Sequence, residues 1–345
     1  MKSVVFTFFV SCLLLFGCTT SMKYPISDHY DGSHFTNPTQ TEKNGFWKTL
    51  KLLVSVKFKD WPDWIENKPD SKVHIPLEED QIAITFINHA TVLIQAKGIN
   101  ILTDPVWSKR ISPVNWAGPK RSRNPGLSLD ELPWIDLVIV SHNHYDHMDM
   151  ATLKQLNDRF SPVFLVPLGD KKLLLKEGMK HTTELDWWQS FLMKDNVNIT
   201  FAPTQHQSGR GIFDWFESLW GSYMINIGSK RVYFGGDAAY SSHYLAIKER
   251  LGKPDISLLP IGAYEPRWFM KHVHMNPADA VQAHLDLESK HSIGIHFGTF
   301  QQVDEAVDDP VKALEMTKEE LKLNPDSFIV LQEGVTTIYS IKDLY

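Results

Sequence analysis

The run from Ser141 to His147, with the sequence SHNHYDH, places three imidazoles and one carboxylate within six residues. Imidazole nitrogen binds zinc and neighbouring metals well, and carboxylate oxygen binds several divalent cations. His142 and His144 are two residues apart, so both can face one metal, whereas Asp146 and His147 follow a bend and can face a second. Because crowding four such groups would be costly without a metal, the run predicts a metal centre.

Three more candidate ligands lie where other predicted strands end. His206 follows the strand predicted over 197–201, Asp237 follows two glycines that permit close backbone approach, and His296 closes the strand over 292–296. A histidine at a strand end, taken alone, is more often an ordinary hydrogen-bonded residue than a ligand. Together with the first run, the set has five histidines and two aspartates, as a dinuclear site requires. The predicted ligands are His142, His144, Asp146, His147, His206, Asp237 and His296.

Cysteine usage and charge exclude other kinds of site. The chain has two cysteines, Cys12 and Cys18, and both lie near its amino end. The mature fold therefore has no internal disulfide, and any metal must be bound by His, Asp or Glu. The net charge is −6 and there is no long block of Lys or Arg. Nucleic acid is excluded as the expected partner, because binding its phosphates needs a concentrated basic surface.

Short β-rich runs begin near residue 80 and alternate with helical patterns. The predicted strands are 82–87, 91–95, 99–103, 137–140, 163–166, 197–201, 221–227, 231–234, 256–259, 293–296 and 328–331. The predicted helices are 149–157, 169–177, 242–251, 276–289 and 310–322. Because helices separate strands in both halves, we predict sheets covered by helices, in one α/β domain over 75–345.

The HxHxDH run, a later histidine, a Gly-Asp pair and a final histidine resemble the metallo-β-lactamase superfamily. Within it, the chain is similar to the N-acyl-phosphatidylethanolamine-hydrolysing phospholipase D family. The stretches with this resemblance are 102–105 (LTDP), 118–121 (GPKR), 141–147 (SHNHYDH), 219–222 (LWGS), 261–270 (IGAYEPRWFM) and 295–299 (IHFGT). The 141–147 run indicates the superfamily, and the 262–270 run indicates the phospholipase family.

The resemblance implies an αββα sandwich of two mixed sheets flanked by helices, with two Zn²⁺ ions at one sheet edge. The implied ligands are His142, His144 and His206 for one zinc, Asp146, His147 and His296 for the other, and Asp237 as the bridge. Catalytic roles are implied for Asp146, for Asp104 as an acid that orients the ligands, and for His274 as a histidine near the substrate phosphate. For His274, an ordinary surface histidine near a helix start is the alternative.

This cage predicts a metal-dependent hydrolase. A water shared by two metals about 3.5–4 Å apart ionises near neutral pH and attacks phosphorus or a carbonyl carbon. The resemblance implies a phosphoric diester hydrolase of the phospholipase D type, which releases N-acylethanolamine and leaves phosphatidic acid. A lactonase or another metal-dependent hydrolase of this fold is the alternative enzyme, and an envelope scaffold lipoprotein is the non-enzyme alternative. The oligomeric state is left open.

The amino end predicts export. A positive start is followed by the almost wholly apolar or small residues 4–16, then by Gly17-Cys18 and a polar run. This segment resembles a bacterial lipobox, in which Cys18 is lipidated, although Phe16 is bulkier than that motif usually allows. An ordinary signal cleaved elsewhere is the alternative. We predict a signal peptide over 1–18 and a lipoprotein anchored to a membrane on the periplasmic side of the bacterial envelope.

Residues 19–74 are predicted to be a tether followed by an amphipathic segment. From Phe46 to Phe58, apolar residues recur at helical spacing, with lysines mostly on the other side. The pattern is typical of a helix lying on a bilayer, and also of a helix packed on a protein core. The first interpretation adds a membrane surface to a phospholipid substrate as an expected partner.

Overall fold

The computed structural model describes residues 24–40, 51, 59–67, 78, 81–193, 197–211 and 213–340. The predicted signal peptide with Cys18 lies outside these residues, as does most of the predicted helix from Phe46 to Phe58. Among the described residues, no helix is both long and apolar enough to cross a bilayer. Export and lipid anchoring stay predictions.

All the predicted strands and helices occur in the predicted order, and the described residues add three strands and one α-helix that were not predicted. The strands are β1 (Gln81–Asn88), β2 (Thr91–Ala96), β3 (Ile99–Thr103), β4 (Leu137–Ile139), β5 (Val163–Pro167), β6 (Thr182–Leu185), β7 (Ser190–Leu192), β8 (Val197–Ala202), β9 (Ser222–Ile227), β10 (Lys230–Phe234), β11 (Ile256–Pro260), β12 (His291–Ile295), β13 (Phe328–Val330) and β14 (Thr336–Ser340). The α-helices are α1 (Met150–Phe160), α2 (Lys171–Lys176), α3 (His243–Leu251), α4 (Arg267–Met270), α5 (Pro277–Leu287) and α6 (Asp309–Glu320).

These strands form two seven-stranded sheets, in the orders β14-β1-β2-β3-β4-β5-β6 and β13-β12-β11-β10-β9-β8-β7. In the first sheet, β14, β1, β2 and β3 pair antiparallel, and β3 to β6 pair parallel. In the second, β7 to β10 pair antiparallel, and β10 to β13 pair parallel. Both sheets are therefore mixed, and the predicted αββα arrangement is confirmed.

The strands are apolar on both faces because each sheet lies between the other sheet and a layer of helices. In β1, Ile84 and Phe86 belong to the core between the sheets, whereas Ile87 packs in the cluster that contains Leu153 and Leu156 of α1. Helices α3, α5 and α6 cover the second sheet in the same way. Truncating one such buried side chain to alanine costs about 2–5 kcal/mol. This packing fixes the positions at which the strands end.

Residues 24–40, which we call the N-terminal arm, pack against the predicted hydrolase domain. Tyr30 and Phe35 are buried, and both belong to the core between the sheets. The hydroxyl of Tyr24 donates a hydrogen bond to Glu184. The arm therefore shares its core with the residues after 75, and the boundary predicted at residue 75 stays a prediction.

His29 links the N-terminal arm to the domain. Its Nε2 lies 2.7 Å from Asp186 Oδ1, and its Nδ1 lies 2.6 Å from Asp28 Oδ1. Burial lowers the pKa of His29, but hydrogen bonds to Asp186 and Asp28 outweigh burial and raise the pKa above 6.5. Protonated His29 therefore stabilises the folded chain. The stabilisation is complete at pH values below the pKa that His29 has in the unfolded chain, and it is lost as the pH rises through the pKa that His29 has in the folded chain.

We expect the substitution His29→Gln to lower the melting temperature more at about pH 6 than at about pH 9, because the charged interaction is present only at the lower pH. Calorimetry of both proteins at the two pH values measures the difference. The exposed histidine of the arm gives the matched control His34→Gln. A loss for His29→Gln that is the same at both pH values would contradict the assignment.

Candidate metal centre

The predicted ligands follow strand ends at one edge of the two sheets. His142 comes three residues after β4, His206 four residues after β8, Asp237 three residues after β10, and His296 directly after β12. These four side chains are at most 3% exposed. The structure brings all seven predicted ligands into neighbouring groups whose donor atoms lie within 4.8 Å of one another in each group.

The first donor group consists of three histidines. Nε2 of His142 lies 2.8 Å from Nδ1 of His144, and Nε2 of His206 lies 3.4 Å from the same nitrogen. Three imidazole nitrogens thus face a common point. This geometry fits one divalent cation with nitrogen ligands.

The second donor group has one carboxylate and three histidines, and its predicted members are Asp146, His147 and His296. Oδ2 of Asp146 lies 3.3 Å from Nε2 of His147 and 3.4 Å from Nε2 of His296. All three side chains are buried. Carboxylate oxygen and imidazole nitrogen at these separations fit a second cation.

Asp237 lies between the two groups. Its Oδ2 is 3.6 Å from Nε2 of His206 in the first group and 3.2 Å from Nε2 of His147 in the second. Its Oδ1 is 3.1 Å from Nε2 of His296. One carboxylate therefore faces both groups, which is the position that a bridging ligand needs.

Hydrogen bonds behind the rings determine which nitrogen faces the centre. Nδ1 of His147 lies 2.6 Å from Oδ2 of Asp104, which also accepts a 2.5 Å bond from the hydroxyl of Ser141. Nδ1 of His206 donates to the carbonyl of Val273 at 2.8 Å. Nε2 of both rings is left facing the centre, as a metal ligand requires.

Several polar atoms at the centre are buried without a hydrogen-bond partner among the described residues. They include Nε2 of His147, Nε2 of His296 and Oδ1 of Asp237. A buried polar atom without a partner costs about 1–3 kcal/mol, and more when it is charged. Because these atoms all face the two donor groups, the residues present fit a pair of divalent cations.

The charges in the centre also favour cations. Burial raises the pKa of Asp146 and Asp237, but the combined charges and hydrogen bonds of the neighbouring histidines, His147 foremost, outweigh burial and keep both carboxyl pKa values well below 3.8. Burial lowers the pKa of His296, but the carboxylates of Asp237 and Asp146 outweigh it and raise that pKa to about 9. The ionised carboxylates attract positive charge, and metal binding at such a site releases ring protons.

Backbone strain is concentrated at the same edge. His89, Asp104 and His296 adopt φ values of 48°, 33° and 60°, a region that residues with a side chain rarely use. Gly236, at φ 58°, is required before Asp237, because a Cβ there would lie 2.5 Å from the Cβ of Ser141. Such strain persists where surrounding structure enforces it, and it often marks a functional site.

Sequence reasoning missed two residues that contact Asp146. Nε2 of His89 lies 3.0 Å from Oδ2 of Asp146, and Nε2 of Gln302 donates to the same oxygen at 2.9 Å. His89 directly follows β1. It therefore has the strand-end placement that singled out His206 and His296, and that signal could have found it. Nothing in the sequence pattern marks Gln302.

His274 lies next to the centre and is 8% exposed. Its Nδ1 is 3.9 Å from Oδ2 of Asp237, and its ring centroid is 5.1 Å from that of His206. Burial lowers its pKa to about 3, so its imidazole is neutral. The position agrees with a residue that faces the substrate, and its role stays a prediction.

Residues 99–297, more than half of the chain, match the family described as "Beta-lactamase superfamily domain". The chain therefore belongs to the metallo-β-lactamase superfamily. Its fold is similar to that of a metallo hydrolase from the archaeon Ignicoccus hospitalis, with a TM-score of 0.57 and 20% identity over 75% of this chain and 98% of that one.

The chain is also similar to proteins with a more particular name. It is 40% identical to "N-acyl-phosphatidylethanolamine-hydrolyzing phospholipase D 1" of Caenorhabditis elegans over 64% of this chain and 65% of that protein. It is 34% identical to the mitochondrial enzyme of that name from Saccharomyces cerevisiae, over 74% of this chain and 57% of the yeast protein. The chain thus spans less than two thirds of either relative. The predicted resemblance to this phospholipase family is confirmed.

Proposed function

We propose that the protein is a dinuclear zinc phosphodiesterase of the phospholipase D type. Its substrates would be N-acyl-phosphatidylethanolamine-like lipids, which it would hydrolyse to N-acylethanolamine and phosphatidic acid. The main support is the position of Asp237, whose carboxylate lies near histidines of both donor groups. The names of the nematode and yeast relatives support the choice of substrate.

In this proposal each predicted ligand has a role. One zinc would be held by His142, His144 and His206, the other by Asp146, His147 and His296, with Asp237 between them. Two such cations, when bound, supply a nucleophilic water at neutral pH and positive charge to offset that of the phosphate.

The chain's own residues would position the reacting groups. Asp104 orients His147 through its 2.6 Å hydrogen bond. His274, beside Asp237, would contact a phosphate oxygen of the substrate. The oxygen of a water molecule would form the new bond to phosphorus, the bond from phosphorus to the ethanolamide oxygen would break, and that oxygen would take up a proton.

An assay of the purified protein tests this proposal. The protein is stripped with a chelator, reloaded with zinc, iron or manganese, and incubated with N-acyl-phosphatidylethanolamine and with a panel of lactones. We expect two metal equivalents per chain and release of N-acylethanolamine and phosphatidic acid, detected by mass spectrometry. Lactone opening without lipid cleavage would favour the alternative enzyme, and a protein that binds no metal would contradict the proposed function.

His274→Ala is expected to leave two metal equivalents in place and to lower kcat/KM for the lipid about 10–100-fold. The reason is that a contact to the charged phosphate is worth about 1.4–2.7 kcal/mol in the transition state. Steady-state kinetics and metal analysis of the variant measure both effects. His181→Ala, at an exposed histidine, is the control. If His274→Ala lost a metal, the residue would be a ligand and not a substrate contact.

A further inference from the structure

The N-terminal arm contacts the backbone of one predicted metal ligand. Oδ1 of Asn37 accepts the backbone N–H of His206 at 2.9 Å, and Nδ2 of Asn37 donates to the backbone carbonyl of His206 at 2.8 Å. One side-chain amide therefore binds both backbone polar groups of a single residue. The same Oδ1 also accepts the indole N–H of Trp220 at 3.0 Å.

Contacts on either side of Asn37 hold the arm in this position. Gln205 donates from Nε2 to the carbonyl of Thr39 at 3.0 Å, and its Oε1 accepts the N–H of Thr39 at 3.3 Å. The N–H of Phe35 donates to the carbonyl of Phe216 at 2.8 Å. The arm thus pairs with both ends of the loop that follows β8. The carbonyl of Gln205 accepts the N–H of Ala239, so the same loop also contacts the segment after Asp237.

The backbone of His206 lies in a loop outside the sheet. β8 ends at Ala202, four residues earlier. The hydrogen bond from His206 Nδ1 to Val273 fixes the direction of the ring, but it does not fix the backbone. The backbone N–H and carbonyl of His206 are bonded by Asn37.

We infer that Asn37 is a positioning residue for His206, so that the N-terminal arm completes the three-histidine half of the metal centre. The inference rests on the proposed metal centre and is independent of the substrate. Residues that orient a metal ligand typically contribute about 10–100-fold to metal affinity. Without Asn37, the His206 backbone loses two hydrogen bonds, and Nε2 is free to move away from His142 and His144.

Metal titration of the full chain tests the inference. Asn37→Ala removes both hydrogen bonds, and Asn37→Asp keeps the acceptor but replaces the donor with a second oxygen. Thr36→Ala is the matched control, because Thr36 is the exposed neighbour of Asn37. Metal-free protein is titrated with zinc against a chromophoric chelator. A parallel titration with cobalt gives the electronic spectrum, which reports ligand geometry.

We expect wild type and Thr36→Ala to bind two ions with the same affinities. In Asn37→Ala, one ion should bind about 10–100-fold more weakly and with an altered cobalt spectrum, while the other keeps its affinity. In Asn37→Asp, the affinity for that ion should lie between the affinities of wild type and of Asn37→Ala. Unchanged affinities, or an equal loss at both sites together with a lower melting temperature of the metal-free protein, would overturn the inference. A wild-type chain that binds no metal would instead contradict the proposed function.

Discussion

Replacing Asp237 by asparagine is expected to lower the rate of hydrolysis steeply and to reduce the bound metal from two equivalents to one or none. The Asp237 carboxylate lies within 3.9 Å of ring nitrogens of five histidines; its Oδ2 faces both donor groups, and its Oδ1 faces the second. Asparagine has nearly the same volume but no charge, and it offers one oxygen instead of two. A loss in kcat/KM of about 10³-fold, or about 4 kcal/mol, is expected.

Metal analysis and lipid turnover of Asp237→Asn measure these effects in the same preparation. Asp286→Asn is the control. Asp286 lies in α5, belongs to none of the donor groups and accepts a hydrogen bond from the hydroxyl of Tyr240. The control should keep both metals and full activity. Two tightly bound metals in Asp237→Asn, with activity near that of the wild type, would be incompatible with a bridging role.

Asp104→Asn should have the second largest effect, although Asp104 lies behind the donor groups and contacts them through His147 and Ser141. Asp104 is 0% exposed, and its oxygens accept three hydrogen bonds, from His147 Nδ1 and from the backbone N–H and hydroxyl of Ser141. The amide of asparagine replaces one of the accepting oxygens with a donor and removes the charge that orients the His147 ring. Metal affinity should fall about 10–100-fold. The free energy of unfolding should fall by about 3 kcal/mol, because a buried charged pair loses one partner.

Chelator titration measures the metal affinity of Asp104→Asn, and urea unfolding of the metal-free protein measures its free energy of unfolding. Ser141→Ala is the graded comparison, because it removes the hydroxyl that contacts Asp104 Oδ2 and His142 Nδ1 and keeps the Asp104 carboxylate. We expect it to cost about 1 kcal/mol of stability and to leave both metals bound. Should Asp104→Asn behave like Ser141→Ala, the carboxylate would have no special role in orienting His147.

The sequence predicted the central strands of both sheets and missed three of the outermost strands. The predicted strands correspond to β1 to β5 and β8 to β13. The missed strands are β6, β7 and β14, each of which is the outermost strand of its sheet. An edge strand is short and polar, because it is covered less and must avoid pairing with other chains. The TTEL sequence of β6 therefore lacks the apolar run that marked the central strands.

Within the candidate centre, the sequence alone indicated the kind of donors. With both cysteines in the amino-terminal segment, only His, Asp and Glu were left, and strand ends indicated the seven residues that the structure brings together. The sequence alone also indicated the metallo-β-lactamase superfamily, because the spacing of the histidines and the aspartate within 141–147 is a local property of the chain.

The tertiary structure decided which atoms meet. It placed Asp237 between the two groups, added His89 and Gln302 at Asp146, and set Asn37 against His206, 169 residues away in the chain. The spacing of apolar residues along the sequence predicts which face of a strand is buried, but it does not predict which segment packs against that face. Contacts between loops that follow different strands depend on how the two sheets pack, and no local pattern contains that information.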